Sequence, residues 1–338
     1  MTTNARLSEA IGMSVSVGID VSKASLEVCV MTKDGRFVNT RLANTRQAIT
    51  AFVESLLTTG FHGPIVVEST GHYHWLIAVC AAEAGLDMRL INPLMSSKHS
   101  RAAIRKTKTD PVDARQLAVM GVTEPNLPAP WKHDAAWVAF RHRVGLLCTL
   151  EKTLQQTRAS LDTHRQALAM VGVEGDALLE ALAAKVHELA RECVRAEKML
   201  TRELASRADD GLNERLCSIP GISAYLAGLL ELFLRTDVPG PKSWSAFIGL
   251  DISVKQSGTW QGRSRLTKRG NAYLRKRIYQ GAWGAMQSNT EFRAYYDRLR
   301  AQGRGYVESL LIIARKLLRI AYALWTKGGT YNSAMMKA

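Results

Sequence analysis

Little in this sequence points to a zinc site, a disulfide framework or a membrane span. Its five cysteines, Cys29, Cys80, Cys148, Cys193 and Cys217, are scattered singly, and none forms a C-x-x-C pair. An odd, dispersed set reads as buried reduced thiols and places the chain in the cytoplasm. No apolar run approaches the ~20 residues of a spanning helix, so no membrane is expected. The first thirteen residues carry one Arg and one Glu but no apolar core, so no signal peptide is expected. Acids are also in deficit: 30 Asp and Glu against 45 Lys and Arg give a net charge of +15. That imbalance argues for a polyanionic partner, and nucleic acid is the usual one. Apolar residues are not lacking, at 46% of 338 residues, enough to bury the cores of two or three domains.

The first part, residues 14–130, opens with a buried strand from Val15 that ends at Asp20. A second strand runs from Leu26 to Met31. The Asp34-Gly35 turn predicts a hairpin to a third, Phe37 to Leu42. A helix from Arg46 to Leu57, a short strand ending at Glu68, a helix from His72 to Ala84 and a strand from Asp87 to Ile91 follow. A meander followed by alternating helices and strands is a mixed α/β layer fold.

Two acids stand at strand ends, Asp20 and Glu68, and two more lie three residues apart in Lys108-Thr109-Asp110-Pro111-Val112-Asp113. Positions i and i+3 share a helix face, and carboxylate oxygens suit a hard cation such as Mg²⁺. Four such ligands would make a two-metal phosphoryl-transfer site. The plainer alternatives are acids complementing a helix dipole, a turn-capping Asp20 and a solvated Glu68. Lys106 and Lys108, in the basic run before the pair, either face solvent or position a phosphate backbone. Tyr73 either lines the site or packs in the core.

Pro125, Pro128 and Pro130 mark a linker into the middle part, residues 131–208. Phe140, Leu147, Leu154, Leu161 and Leu168 recur every seven residues. After the glycines at 172 and 175, Leu179, Leu182, Val186, Leu189, Cys193, Ala196 and Leu200 continue the pattern. This predicts an antiparallel coiled-coil hairpin, either an oligomerisation arm or an internal helix pair.

The last part, residues 209–328, is mainly helical. Ser218-Ile219-Pro220-Gly221 before an apolar helix resembles a phosphate-meeting helix-hairpin-helix turn. From Lys255 to Lys327 there are sixteen Lys or Arg and three acids, an imbalance that a solvated face explains poorly. Arg263, Arg265, Lys268, Arg269, Arg275, Lys276 and Arg277 are the candidate nucleic-acid contacts, predicting salt-dependent binding. Among them, Trp260, Tyr273 and Trp283 either stack on bases or pack inside, with packing favoured for Trp283. The closing helix from Arg304 to Trp325 is amphipathic, with Arg315, Lys316 and Arg319 outward. Ser257 by its chemistry alone is a turn serine.

Four ordered motifs, Gly18-Ile19-Asp20-Val21-Ser22-Lys23, Glu68-Ser69-Thr70-Gly71-His72-Tyr73, Ile91-Asn92-Pro93 and Lys108 to Ala114, resemble those of the DEDD transposases of insertion-sequence family one-ten, relatives of the Piv DNA invertases. The C-terminal run from Arg265 to Arg275 extends the likeness. The resemblance implies an RNase H-like, RuvC-like N-terminal domain and a C-terminal transposase domain. It implies that Asp20, Glu68, Asp110 and Asp113 bind Mg²⁺, with Mn²⁺ as a substitute. It makes Ser257 the nucleophile that forms a phosphoserine link to DNA. It further implies DNA partners at element ends and target, a structured non-coding guide RNA, and a homo-oligomer built as a dimer of dimers. The family often has a proline shortly after its Gly-Leu pair, where this chain has Ile252 and Ser253. A RuvC-like nuclease using metal-activated water and a non-enzymatic nucleic-acid scaffold are the alternative functions.

Overall fold

A computed structural model describes residues 9–69, 71–93, 95–97, 110–207, 211–234, 238–253, 256–257, 260–261 and 265–336. The chain divides into two compact units, Met1–Phe140 and Arg141–Ala338.

In the first unit, β1 (Ser14–Val21), β2 (Ser25–Thr32) and β3 (Phe37–Ala43) form the expected antiparallel meander. Gly35 supplies the positive φ, 78°, that the β2–β3 turn needs. β4 (Ile65–Glu68) and β5 (Met88–Ile91) join the other edge of β1 in parallel, giving the order β3-β2-β1-β4-β5. Helix α1 (Arg46–Thr58) buries Ile49, Phe52, Val53 and Leu56, one stripe at helical spacing, and Thr45 caps its start by accepting from the Ala48 N–H. Helix α2 (Trp75–Glu83) starts three residues later than His72. The side-chain amide of Asn44 donates to the Tyr73 carbonyl at 3.1 Å, so that carbonyl is engaged outside the helix. Both helices cover the sheet face formed by Val17, Ile19, Val28, Val30, Ile65 and Val67.

The other face carries α3 (Asp110–Thr123), whose Ala114, Leu117, Ala118 and Met120 are buried with Cys29, Val66 and Ile91. The approach is unusually close. A Cβ on Gly18 would lie 2.1 Å from the Ala114 oxygen and 2.2 Å from the Ala118 nitrogen. A Cβ on Gly121 would meet the Ser16 hydroxyl at 2.0 Å. With residue 121 over 16 and 114–118 over 18, α3 runs antiparallel to β1, backbone on backbone. Its N-terminal turn therefore lies toward the end of the strand that holds Asp20.

Helices α4 (Ala135–Met170), which crosses the boundary between the units, and α5 (Ala177–Arg207) are two long helices joined by a short turn. Ion pairs Arg165–Glu180 at 3.0 Å and Arg143–Glu203 at 2.7 Å, one near the turn and one far from it, show that they run antiparallel. Leu147, Leu154 and Leu161 are buried at the expected heptad spacing. On α5 the seam differs: Leu182 is 46% exposed and Ala183 is buried in its place. At 3.6 residues per turn the i+3 and i+4 positions flank one line, and the partner helix chooses between them.

The rest of the second unit comprises α6 (Leu212–Cys217), α7 (Ala224–Phe233), α8 (Pro241–Ile248), α9 (Ala272–Ser288), α10 (Thr290–Ala301) and α11 (Tyr306–Lys327). Helices α6, α8, α9 and α10 all pack on α11. That surrounding explains why Lys316, expected to point outward, is only 4% exposed. Trp283, expected inside, is 49% exposed, whereas Tyr273 is buried with its hydroxyl 3.0 Å from that of Tyr225. Gly221, at φ 83°, lets the Ser218–Ser223 turn press on α9, where a Cβ would meet the Gly281 oxygen at 2.1 Å.

Candidate active site

The register Ile19↔Val67 between β1 and β4 carries one residue further to Asp20 and Glu68. The two acids thus stand side by side at the carboxyl ends of adjacent parallel strands, the usual place for function in an open α/β sheet. Both are half-buried. Asp20 accepts from the Val21 N–H at 3.0 Å, and Glu68 accepts a short hydrogen bond from the Ser96 hydroxyl. Because a Cβ on Gly18 would collide with the α3 backbone, the face of β1 that holds Gly18 and, two residues on, Asp20 is the face that α3 covers. Asp113 lies in the first turn of α3, half-buried. Asp110 opens the same helix; its side chain lies outside the described set.

Among the described residues, no three His, Cys, Asp or Glu side chains draw close enough to hold a metal ion. The acids that the strands and α3 place toward this end of the sheet are all carboxylates, a donor type that suits a hard divalent cation rather than zinc.

Of the basic candidates, Lys106, Lys108 and Arg263 lie outside the described residues, as does the side chain of Arg265. Lys268 and Arg269 are exposed, and Lys268 holds a left-handed φ of 50°. Arg275 instead ties backbone together, donating to the Ile248 carbonyl at 2.7 Å and the Lys268 carbonyl at 3.3 Å. Lys276 pairs with Glu151 at 2.9 Å. Arg277 does not match its expected role as a phosphate contact. Its side chain is 15% exposed and pairs with Glu151, with Glu197 at 2.7 Å and with the Tyr273 hydroxyl at 2.9 Å. Burial pulls this guanidinium down, yet Tyr273, Glu197 and Glu151 together hold it above its ordinary pKa. Arg277 is a structural cation tying α9 to both helices of the long pair.

Ser257 sits in a short ladder, β7 (Gln256–Ser257) against β8 (Trp260–Gln261), where it pairs with Trp260. Outside it, β6 (Ile252–Ser253) pairs with β9 (Arg265–Leu266). The base of this excursion is tight: Thr267 bonds Asp251 through backbone and side chain, and the Asn271 N–H donates to the Phe247 carbonyl at 3.1 Å. A Cβ on Gly270 would meet that same Phe247 oxygen at 1.9 Å.

Residues 17–169 match a DEDD transposase model of the IS110 group, described as "Transposase", and residues 213–297 match a second, described as "Transposase IS116/IS110/IS902 family". Together the two span well over half of the chain. The chain belongs to the IS110 family of DEDD transposases. It is 24% identical to the transposase for insertion sequence element IS1111A of Coxiella burnetii, over 94% of this chain and 91% of that protein. It is 24% identical to the pilin gene-inverting protein of Moraxella lacunata, over 91% of this chain and 94% of that one. A match to the IS110 uncharacterized 43.6 kDa protein of Streptomyces coelicolor, 29% identical, spans 37% of this chain and 31% of that protein. Among solved structures, T. thermophilus RuvC in complex with Holliday junction substrate aligns with a TM-score of 0.28 and 14% identity, over 34% of this chain and 98% of that one.

An IS110-family transposase is a DNA-processing enzyme, and three residues beside its acids are not legible from motif reading. Glu27 pairs with Asp20 across β1 and β2. Two carboxylates facing each other there would repel, and Arg41, paired with Glu27 at 3.0 Å, offsets that charge. Ser96 donates to Glu68. The alternation along β2 and β3 carries the only signal for the Glu27–Arg41 pair, and it becomes readable once the strand register is known. No helix among the described residues is long and apolar enough to cross a membrane.

Proposed function

We propose that this IS110-family transposase cuts and exchanges strands at the ends of its own insertion sequence through a covalent serine–DNA link. What supports the reading most is the gathering of Asp20, Glu68 and the start of α3 at one end of the sheet, with Gly18 allowing the helix to lie on the strand. Asp20, Glu68, Asp110 and Asp113 are the residues that would hold Mg²⁺ or Mn²⁺. When bound, such an ion stabilises charge on phosphoryl oxygens. Ser96 and Arg41 orient and neutralise the carboxylates around that spot. The Ser257 hydroxyl attacks the phosphorus of a phosphodiester. Its O–P bond forms, the bond from phosphorus to the 3′ oxygen breaks, and the proton lost by serine is balanced by the one gained at the leaving 3′ hydroxyl. The reverse step, with a different 3′ hydroxyl attacking, joins the strand to a new partner.

The sheet order supports an RNase H-like reading of residues 14–130. The antiparallel pair α4–α5 supports reading residues 131–208 as a coiled-coil arm, and residues 209–328 form the serine-bearing transposase domain. Exposed Met170, Val171, Leu178 and Leu182 at the tip of the arm suit contact with another copy in a dimer of dimers. Exposed Lys268 and Arg269 suit a phosphate backbone, of DNA or of a structured guide RNA.

The test is cleavage of DNA carrying the element ends in the presence of Mg²⁺. Asp113→Asn is expected to abolish cutting, and Ser257→Ala to abolish both cutting and adduct. Cutting retained by Ser257→Ala but lost in Asp113→Asn would instead mark a hydrolytic nuclease.

A further inference from the structure

A groove in the first unit plays no part in the chemistry above. It is an open groove of about 390 Å³, within the ~300–1,000 Å³ typical of small-ligand sites, and is lined by Lys23, Asn44, Arg46, His72, Tyr73 and Trp75 over four smaller apolar side chains. Its walls continue the two strands that carry the acids. Lys23 follows Asp20 by three residues, and His72 and Tyr73 follow Glu68 by four and five. Asn44 pins these walls together, its amide donating to the Ser22 carbonyl at 3.0 Å and the Tyr73 carbonyl at 3.1 Å. The oxygen of the same side chain is buried behind that wall and has no hydrogen-bond partner among the described residues.

The lining has the composition of a nucleotide site. The rings of His72 and Tyr73 lie 4.2 Å apart at 44°. Trp75 is held in place by Trp131 and Trp137, at 5.9 and 6.2 Å. Among the described residues no carboxylate lines the groove, and two cations rim it. Arg46 has only a marginal competitor among the described residues, Glu83 at 4.0 Å, with both side chains more than half exposed. Rings offer a stacking surface to a base, and cations hold its phosphates.

We propose that this groove receives one unpaired nucleotide of the DNA strand bound at the acids, taking the base against Tyr73 and His72 and the backbone on Lys23 and Arg46. The proposal rests on the reading that a DNA strand lies at Asp20 and Glu68. The test uses the full chain with a single-stranded DNA 12-mer carrying one 5-iodo-deoxyuridine, in EDTA so that no strand is cut. Irradiation is expected to crosslink the DNA within the tryptic segment 47–89, at Tyr73 or His72. Tyr73→Leu and His72→Ala should each cut the crosslink yield at least fivefold. His72 is exposed, so its variant keeps the test valid should Tyr73→Leu fold poorly. Lys23→Ala with Arg46→Ala should lower the slope of log affinity against log salt by about 1.4, ~0.7 for each lost single-strand phosphate contact. A crosslink mapping elsewhere, unchanged yield in both ring variants, or a stronger crosslink to RNA of the same sequence would overturn the proposal. Asp113→Asn, expected to stop cutting, should leave the crosslink intact. A crosslink without any Ser257 adduct would therefore overturn the reaction scheme and leave the groove standing; an adduct without the crosslink would do the reverse.

Discussion

Gly18→Ala is the sharpest perturbation the fold offers. The new methyl would sit 2.1 Å from the Ala114 oxygen and 2.2 Å from the Ala118 nitrogen, both backbone atoms in a helix that cannot swing aside like a side-chain tip. Ordinary contact begins near 3.4 Å, so α3 has to lift from β1 by more than 1 Å. Overpacking of this kind costs ~1–3 kcal/mol, enough to lower the melting temperature by several degrees while leaving a folded chain. The larger consequence falls on the site. Asp110 and Asp113 ride on α3 while Asp20 stays on β1, and a displacement of about 1 Å can cost ~100-fold in rate. Thermal melts and Mg²⁺-dependent cleavage, run side by side, measure both effects. Gly145→Ala is the control: that glycine lies within α4 and an added methyl would have nothing within 4 Å, so the change should stabilise by ~0.5–1 kcal/mol and leave cleavage untouched. A Gly18→Ala chain with native stability and native activity would refute the backbone-on-backbone packing and the argument that it places the acids.

Other expectations concern the second unit. Arg277→Ala leaves Glu151 and Glu197 without their shared cation and should destabilise by about 3 kcal/mol in denaturant titration, whereas Lys276→Ala, at a more exposed pair, should cost under ~1 kcal/mol. Replacing exposed Lys268 and Arg269 together with Ala should barely change stability but reduce the salt slope of duplex DNA binding by about 1.8. Burial chiefly, opposed by Arg277, pushes the Tyr273 phenol up to about 12 from its usual value near 10. The folded state thus prefers the protonated phenol, so its contribution is fully present below pH ~10 and lost as pH rises through about 12. Melts across that window should fall less steeply for Tyr273→Phe.

Much of the first unit is legible in the sequence because its signals are local. Alternating apolar strands, the Asp34-Gly35 turn and the stripe on α1 each dictate an element without reference to the rest of the chain. Asp20 and Glu68, too, stand out as charges at the ends of apolar runs. What motif reading misses depends on partners distant in sequence. Gly18 looks like any strand glycine until Ala114 and Ala118 arrive on top of it. Glu27 and Arg41 look like solvated strand residues until the register sets them beside Asp20. Arg277 shares a basic run with Arg275 and Lys276, and helical rotation alone carries it inward to Glu151 and Glu197. On α5, Leu182 and Ala183 are both compatible with a seven-residue repeat, and only the facing helix selects the alanine. Lys316 turns inward for a similar reason, since one-sided amphipathicity does not describe a helix packed by four others.

The proposed strand exchange requires that a serine of this transposase become bonded to DNA. Its most direct measurement is mass spectrometry of the protein trapped with element-end DNA and Mg²⁺, then digested with nuclease and trypsin. The segment 256–263, released between Lys255 and Arg263, is predicted to carry a nucleotide phosphate, with fragment ions placing it on Ser257 rather than Thr259. DNA cut in full while that segment remains unmodified, or an adduct found at another residue, would rule out Ser257 as the nucleophile.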